Sequence, residues 1–488
     1  MAQPSVVVLH KNKPGEHPGQ DAANETGAPV EQALYAVRKA IHPRAVTGWF
    51  AAWRWTLVWA TQLLFYGLAW LPWNDRQAVL FDIAHRKFYI FSWVFWPQDL
   101  LYLTGLLIIS ALSLFLFTAV AGRLWCGYAC PQTVYTEMFM WIERKIEGDR
   151  NARIALDKSP WNARKFRLKL AKHGVWAALA LWTGFTFVGY FTPIRELWDA
   201  VWALGTGPWE TFWVLFYGFA TYGNAGWMRE QVCTYMCPYA RFQSAMFDKD
   251  TMIITYDRER GEPRGTPKKG VDRATSGLGD CVDCSICVQV CPTGIDIRDG
   301  LQYQCIGCAA CVDGCNQVME KLGRPKGLIR YSTTHAMEQK LTRAQMFRRA
   351  LRPRVLLYIG ILCAVIAAAG VGLWMRVPLK ADIIRDRASL VREVEGGQIE
   401  NVYRVQVMNT TEHPRAYEIS AAGLPTLHVA SSTTLRVGAT ESRMFAVRVR
   451  LEPGIAPEGV RTHKIVFSVR AIDDESVSVL EKSVFLTR

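Results

Sequence analysis

Five stretches of this 488-residue chain lack any Asp, Glu, Lys or Arg: 55–74, 100–122, 174–194, 211–228 and 355–375, with lengths of 20, 23, 21, 18 and 21. A bilayer core about 30 Å thick takes about 20 mostly apolar residues of helix, although a single run of that kind also suits a buried core helix. Five at nearly bilayer length argue against a purely soluble fold and predict five transmembrane α-helices. Nucleotide and haem signatures are also missing. No G-x-G-x-x-G follows an expected strand, and neither G-x-x-x-x-G-K-[ST] nor C-x-x-C-H occurs. The chain therefore has no evident flavin, nicotinamide, ATP or c-type haem site of its own, and electrons must come from a partner or from membrane quinol. Nine scattered histidines form no H-x-x-x-H pair, and none is assigned as a ligand. The first 30 residues lack the apolar core of a signal peptide and are rich in Pro, Gly, Asn, Gln and Asp, so residues 1–34 are expected to be a disordered cytoplasmic start.

Acidic residues are in deficit, 43 against 57 Lys and Arg, for a net charge of +14. The placement of that charge points away from nucleic acid. Ten Lys or Arg against four acids lie in 143–172 and ten against one in 321–354, whereas 192–209 holds only Arg195 as a base. This asymmetry follows the positive-inside rule. It predicts a cytoplasmic N-terminus, cytoplasmic segments at 123–173 and 229–354, and a 113-residue external tail from 376 to 488. The loop 75–99 has three bases and three acids and argues for neither side.

Cysteine is absent from the external segments, which excludes an external disulfide framework. The tail instead alternates apolar and polar residues in Val402–Val407, Phe445–Leu451 and Lys464–Val469. Phe445, Val447, Val449 and Leu451 would share one strand face, and several such strands suggest a small antiparallel sandwich.

The thirteen cysteines divide as eight, four and one. Cys281, Cys284, Cys287, Cys291 and Cys305, Cys308, Cys311, Cys315 each have C-x-x-C-x-x-C-x-x-x-C spacing. Three thiolates two residues apart let a short loop wrap three corners of a cubane, while the fourth reaches across to the other cluster. By that rule Cys281, Cys284, Cys287 and Cys315 hold one [4Fe-4S] cluster, and Cys305, Cys308, Cys311 and Cys291 a second. Zinc is the competing reading, but tetrahedral zinc sites usually pair two cysteines and then two more after a longer spacer. Two such clusters in a compact fold suit electron relay.

Four further cysteines form an internal repeat, Cys126-Gly-Tyr-Ala-Cys130-Pro131 and Cys233-Thr-Tyr-Met-Cys237-Pro238, offset by 107 residues, each after the second member of a hairpin of expected spans. On a helix each pair would lie on one face, able to grip a metal ion or form a strained disulfide; paired small residues packing helix on helix are the alternative. Cys363, alone in the last apolar run, reads as a small hydrophobe.

The stretch GDCVDCSICVQVCPTGIDIRDGLQYQCIGCAACVDGC (279–315) with GRPKGLIRYST (323–333) resembles the CcoG family, also called FixG or RdxA. HPRAVTG (42–48), WCGYACPQTVYTEMF (125–139) and CTYMCPYARFQ (233–243) match as well. These are membrane polyferredoxins associated with assembly of cbb3-type cytochrome oxidase. The resemblance implies reduction of Cu(II) to Cu(I) for the nascent oxidase, an external immunoglobulin-like module, and copper-delivery proteins and oxidase subunits as partners, in a bacterial inner membrane. Carried over by position, the cluster ligands are the eight cysteines above, and the family's paired C-x-x-x-C-P motif falls on Cys126, Cys130, Cys233 and Cys237, the candidates for catalysis. The expected fold is a multi-domain membrane protein. It comprises a four-helix membrane region at 35–248, a cytoplasmic α+β dicluster ferredoxin-type domain at 249–340, a basic stretch and fifth transmembrane helix at 341–376, and a periplasmic all-β immunoglobulin-like domain at 377–488. Two other functions remain open: a quinol-linked respiratory carrier, and a scaffold in which clusters and thiols only stabilise the fold.

Overall fold

The computed structural model describes residues 41–266, 277–386, 391–455 and 461–487, so the expected disordered start at 1–34 lies outside the described residues. The chain divides into two compact units. One is drawn from the chain up to Gly67, Ile108–Val188 and Thr206–Cys363; the other from Leu68–Leu107, Gly189–Gly205 and Ala364–Arg488.

Each charge-free run falls mainly on a helix: Trp49–Trp70, Leu100–Ala121, Ala163–Val188, Pro208–Thr221 continued by the π-helical Tyr222–Met228, and Pro353–Trp374. Among the described residues, two helices, Pro97–Ala121 with its 3-10 lead-in and Pro353–Trp374, are long and apolar enough to cross a membrane. The other three, also expected to span, do not reach that mark of length and composition, for separate reasons. Trp49–Trp70 mixes Arg54, Thr56, Thr61, Gln62 and several indoles into its apolar surface. Ala163–Val188 begins in the basic sequence ARKFRLKLAK. Pro208–Thr221 runs only 14 residues before its winding changes.

Within the first unit, Ala163–Val188 and Pro208–Thr221 approach closely through glycine. A Cβ on Gly184 would strike the Val214 carbonyl and come within 2.9 Å of the Gly218 nitrogen. Small residues permit such backbone approach where there is no water to drive association. Towards the basic segment, Phe139, Ile142, Trp176, Ala180 and Ala225 form a buried cluster. The bases nearby are not simply a solvated face. Arg153 is 1% exposed and pairs with Glu143 at 2.9 Å, which also meets Arg229 at 3.1 Å and Lys172 at 3.5 Å. Burial alone would raise the Glu143 carboxyl, but Arg229, Lys172 and Arg153 outweigh it and hold the group below the usual carboxylate range.

The ferredoxin-type portion is α+β. Strands Ile253–Tyr256 and Ile329–Ser332 pair antiparallel, and the short helix Ile286–Gln289 and the helix Ala310–Lys321 follow the cysteine loops. Ile254, Ile297, Val312, Met319, Leu328 and Ile329 share a core with Cys281, Cys287 and Cys315. Asp313 of this portion accepts from the Ala51 nitrogen at 2.8 Å and the Phe50 nitrogen at 3.4 Å. A carboxylate there satisfies free N–H groups at the start of Trp49–Trp70 and faces its positive dipole end.

In the second unit the alternating tail forms two facing sheets. One runs His428–Val429, Ser442–Leu451, Gln398–Asn409, Leu379–Arg385, with Arg392–Val394 also on Gln398–Asn409; the other runs Thr434–Val437, Arg415–Ala422, Thr462–Ala471, Ser478–Leu486. The strands pair antiparallel within each sheet, and Val447, Val449 and Leu451 point into a core closed by Tyr403, Tyr417, Phe467 and Phe485. The neutral loop 75–99 gave no structural signal, yet it forms a three-stranded meander, Val79–Asp82, Lys87–Ile90 and Trp93–Phe95. Leu80, Tyr89, Val94 and Trp96 share a buried cluster with Met408. Asp99, 3% exposed at its side chain, pairs with Arg376 at 2.8 Å and Lys380 at 2.5 Å. Removing one partner of a buried ion pair strands the remaining charge, so Asp99→Ala is expected to cost about 3 kcal/mol, the lower end because Lys380 is partly solvated. Tryptophan-monitored denaturation of the full chain would read this as a lower midpoint with an unchanged slope.

Candidate functional site

Two loops in the first unit repeat one backbone. At matching positions of Cys281–Cys287 and Cys305–Cys311, positive φ recurs: Asp283 at 55° and Ser285 at 52°, then Gly307 at 70° and Ala309 at 57°. Left-handed residues alternating with right-handed ones turn successive N–H groups towards one side, a concavity suited to an anionic group. Three of the four positions carry a Cβ, at roughly 1–2 kcal/mol each for an ordinary residue. Only Gly307 lacks one, and there a Cβ would meet the Arg123 carbonyl carbon and oxygen at 3.1 Å.

The eight cysteines fall into two neighbourhoods. The thiols acting on Cys315 are Cys287, Cys284 and Cys281, and Cys291 acts on Cys305, Cys308 and Cys311; Cys287 reaches Cys311 as well, so the two neighbourhoods adjoin. Cys287, Cys291, Cys305, Cys308 and Cys311 line one internal void with Ile254, Ile295, Ile297 and Ile306. In the first neighbourhood Cys281, Cys287 and Cys315 are buried and Cys284 is exposed. Among the described residues, no three His, Cys, Asp or Glu side chains close on a point where one metal ion would sit. Thiols gathered around an apolar void, beneath convergent N–H groups, fit an iron–sulfur group, whose ligands are spread over a larger body than the single-ion zinc alternative.

The paired C-x-x-x-C-P motifs depart from the single-helix-face expectation. Cys126 lies in the short helix Leu124–Tyr128, but Cys130 has extended backbone and precedes the helix Pro131–Glu147. Cys233 lies in the π-helical Val232–Met236, and Cys237, again extended, precedes Pro238–Met246. Proline disfavours helical backbone in the residue before it and suits the first turn of the helix it starts, so each pair straddles a helix break. The structure nevertheless gathers the four: Cys233 has Cys130, Cys126 and Cys237 as electrostatic neighbours. No disulfide joins them. Burial pushes the Cys126 thiol up to about 11 and Cys233 up to about 12, and raises Cys130 as well. The Cys126 Sγ also meets the Gln243 side-chain amide at 3.4–3.5 Å.

The second cysteine neighbourhood sits directly on the first C-x-x-x-C-P motif. A Cβ on Gly127 would lie 2.8 Å from both the nitrogen and the Cα of Cys308. Cys126 packs against the buried cluster of Val290, Ile306, Cys308 and Ala310. The Tyr331 hydroxyl donates to the Gly307 carbonyl and lies 3.5 Å from the Tyr128 hydroxyl. Gly127→Ala must therefore displace a cysteine loop rather than a flexible side-chain end. It is expected to destabilise the protein by about 1–3 kcal/mol, whereas Gly105→Ala, with open space around it, should be neutral or stabilising in the same thermal unfolding assay. Sequence reasoning missed Gly127, Arg123, Gln243 and Asp313. For Gly127 the signal was a glycine between two repeated cysteines; for Arg123 it was a lone cation closing a 23-residue charge-free run. Cys363 lies exposed on Pro353–Trp374, away from both cysteine groups in sequence and with no partner role assigned.

Three family descriptions match. A 4Fe-4S dicluster domain covers residues 228–334, a 4Fe-4S binding domain covers 103–148, and the IG-like fold at the C-terminus of FixG covers 369–488. The first begins ahead of the expected boundary at 249 and takes in Cys233 and Cys237; the second takes in Cys126 and Cys130. Among curated proteins, the nitrogen fixation protein FixG of Rhizobium meliloti is 38% identical over 461 residues, 88% of this chain and 88% of that protein. Protein RdxA of Cereibacter sphaeroides is 39% identical over 442 residues, 88% of this chain and 92% of that protein. The ferredoxin-type protein NapH of Haemophilus influenzae is 24% identical over 233 residues, 44% of this chain and 68% of that protein.

Proposed function

Since the chain belongs to the FixG/RdxA family of iron–sulfur proteins, we propose that it is a membrane-bound electron-transfer protein that reduces Cu(II) to Cu(I) during assembly of a cbb3-type cytochrome oxidase. The observation that carries this reading is the contact of Gly127 with Cys308, which puts the C-x-x-x-C-P thiols against a cysteine loop fitted to an iron–sulfur group.

Cys281, Cys284, Cys287 and Cys315 would hold one [4Fe-4S] group, and Cys305, Cys308, Cys311 and Cys291 a second. Bound there, such groups supply one-electron storage and release. The chain's own residues do the rest. Ile254, Ile297 and Ile306 exclude water from the thiols, and the left-handed turns at Gly307 and Ala309 aim backbone N–H groups at them. Cys126, Cys130, Cys233 and Cys237 receive copper as substrate. Each Cu(II) takes one electron and leaves as Cu(I), the oxidation state that soft thiolates favour. The electron comes from a donor outside this chain, and exposed Cys284 marks the face at which it would meet the first cysteine group.

Five membrane crossings, with the cysteines cytoplasmic and the immunoglobulin-like domain periplasmic, give that domain access to copper-delivery proteins and oxidase subunits. A quinol-linked carrier is the second reading, favoured by the match of 44% of this chain to the ferredoxin-type protein NapH. One experiment separates them. Protein purified without oxygen and reduced is given Cu(II) while cluster absorbance and chelated Cu(I) are followed together. One Cu(I) per electron lost is expected; reduced protein that yields no Cu(I) but exchanges electrons with a quinone analogue would replace the copper reading with the quinol one.

A further inference from the structure

Arg123 closes the helix Leu100–Ala121 by two residues and is 6% exposed. Its two terminal nitrogens donate to the Tyr303 carbonyl, two residues before Cys305, and to the Ala240 carbonyl, three residues after Cys237. The guanidinium thus ties the second cysteine loop to the helix Pro238–Met246 that follows the second C-x-x-x-C-P motif. Its Nε is buried with no hydrogen-bond partner. The groups that act on its charge are thiols, Cys126, Cys305, Cys233 and Cys237, with no carboxylate among the leading ones. Other buried arginines of this unit have carboxylates: Arg153 meets Glu143 at 2.9 Å and Arg298 meets Asp296 at 2.6 Å. A desolvated cation without an acid is costly unless another anion lies beside it.

We propose that Arg123 is a positioning residue whose charge is shared by the second cysteine group and the four C-x-x-x-C-P thiols, favouring the more negative state of whatever those sulfurs hold. The inference rests on reading Cys291, Cys305, Cys308 and Cys311 as ligands of an iron–sulfur group. A fixed positive charge in a low-dielectric surround stabilises the reduced form of such a group and raises its potential. Its influence is local: the thiols acting on Cys315 do not include those that face Arg123.

The test uses the full chain, purified without oxygen, with iron and sulfide analysis and an EPR-monitored potential titration. Cys308→Ser identifies which signal belongs to the second group. Arg123→Gln removes the charge and part of the fork; Arg123→Lys keeps the charge and loses the fork. The expected result is that Arg123→Gln shifts the second signal to more negative potential and leaves the first in place, while Arg123→Lys keeps both near their wild-type positions. Arg123→Gln that loses iron while Arg123→Lys retains iron and potential supports the same conclusion. Loss of iron in both variants would mean that the fork only holds two loops together, and unchanged or equally shifted signals in Arg123→Gln would also overturn the proposal. Wild-type protein without iron and sulfide would sink the ligand reading, and the inference with it, before any variant was made.

Discussion

Cys311→Ser is expected to purify with about half the iron and acid-labile sulfide of the wild-type chain, about four irons being lost if each cysteine group holds one cubane. Cys311 lies among Cys308, Cys305 and Cys291, packs against both buried clusters of the ferredoxin-type portion, and lines the void beside Ile297 and Ile306. A serine there offers a hydroxyl in place of a soft thiolate and leaves it in an apolar wall, so ligation and packing suffer together. Cys284→Ser should remove the other half. Its thiol is exposed and its neighbourhood is that of Cys315, so the contact of Gly127 with Cys308 stays intact. The two variants therefore differ in a second readout: only Cys311→Ser should speed alkylation of Cys126, because Cys126 packs against the Cys308 loop. Cys363→Ser should keep full iron. Full iron in both Cys311→Ser and Cys284→Ser would rule out the assigned ligands.

Much of this arrangement was legible in the residues, because the signals were periodic or spaced. Alternation placed Val447, Val449 and Leu451 on the inner face of one strand, and cysteine spacing singled out eight residues that the structure gathers in two adjoining neighbourhoods, with Cys287 reaching Cys311. What stayed hidden depends on contacts between distant segments. The meander at 79–95 is short and aromatic, with turns set by positive φ at Arg86 and Phe91, residues that carry no turn signal of their own. Apolar runs gave helices, of which two among the described residues are long and apolar enough to span by length and composition alone: hydrophobicity read as absence of charge counts Trp, Tyr, Thr and Gln with Leu, and Trp49–Trp70 is built from both kinds. The C-x-x-x-C-P geometry failed for a local reason already present in the letters. A proline after the second cysteine breaks the helix on which the two were expected to share a face. Arg123 and Gly127 carried only weak signals, a lone cation after an apolar run and a glycine between two cysteines, because their use shows only when the loop around Cys305 and Cys308 is folded against them.

Cys126→Ser and Cys237→Ser should keep wild-type iron content yet lower Cu(II) reduction by at least about tenfold, the factor that corresponds to about 1.4 kcal/mol in a barrier. The two positions probe the motif from different sides. Cys126 is half-buried within Leu124–Tyr128, meets the Gln243 amide and touches the Cys308 loop, whereas Cys237 stands at the helix break before Pro238. Serine fits either place with little change of volume, so the fold and the iron should survive; what is removed is a soft sulfur, and Cu(I) discriminates strongly between thiolate and hydroxyl oxygen. Because the four thiols act as one group, the double variant should lose little more than either single one, as residues that work as a unit are not additive. A purely structural role predicts the opposite pattern, with losses of stability that add and turnover that persists. Turnover retained in both single variants would take the motif out of the mechanism and move copper reduction to the exposed face at Cys284.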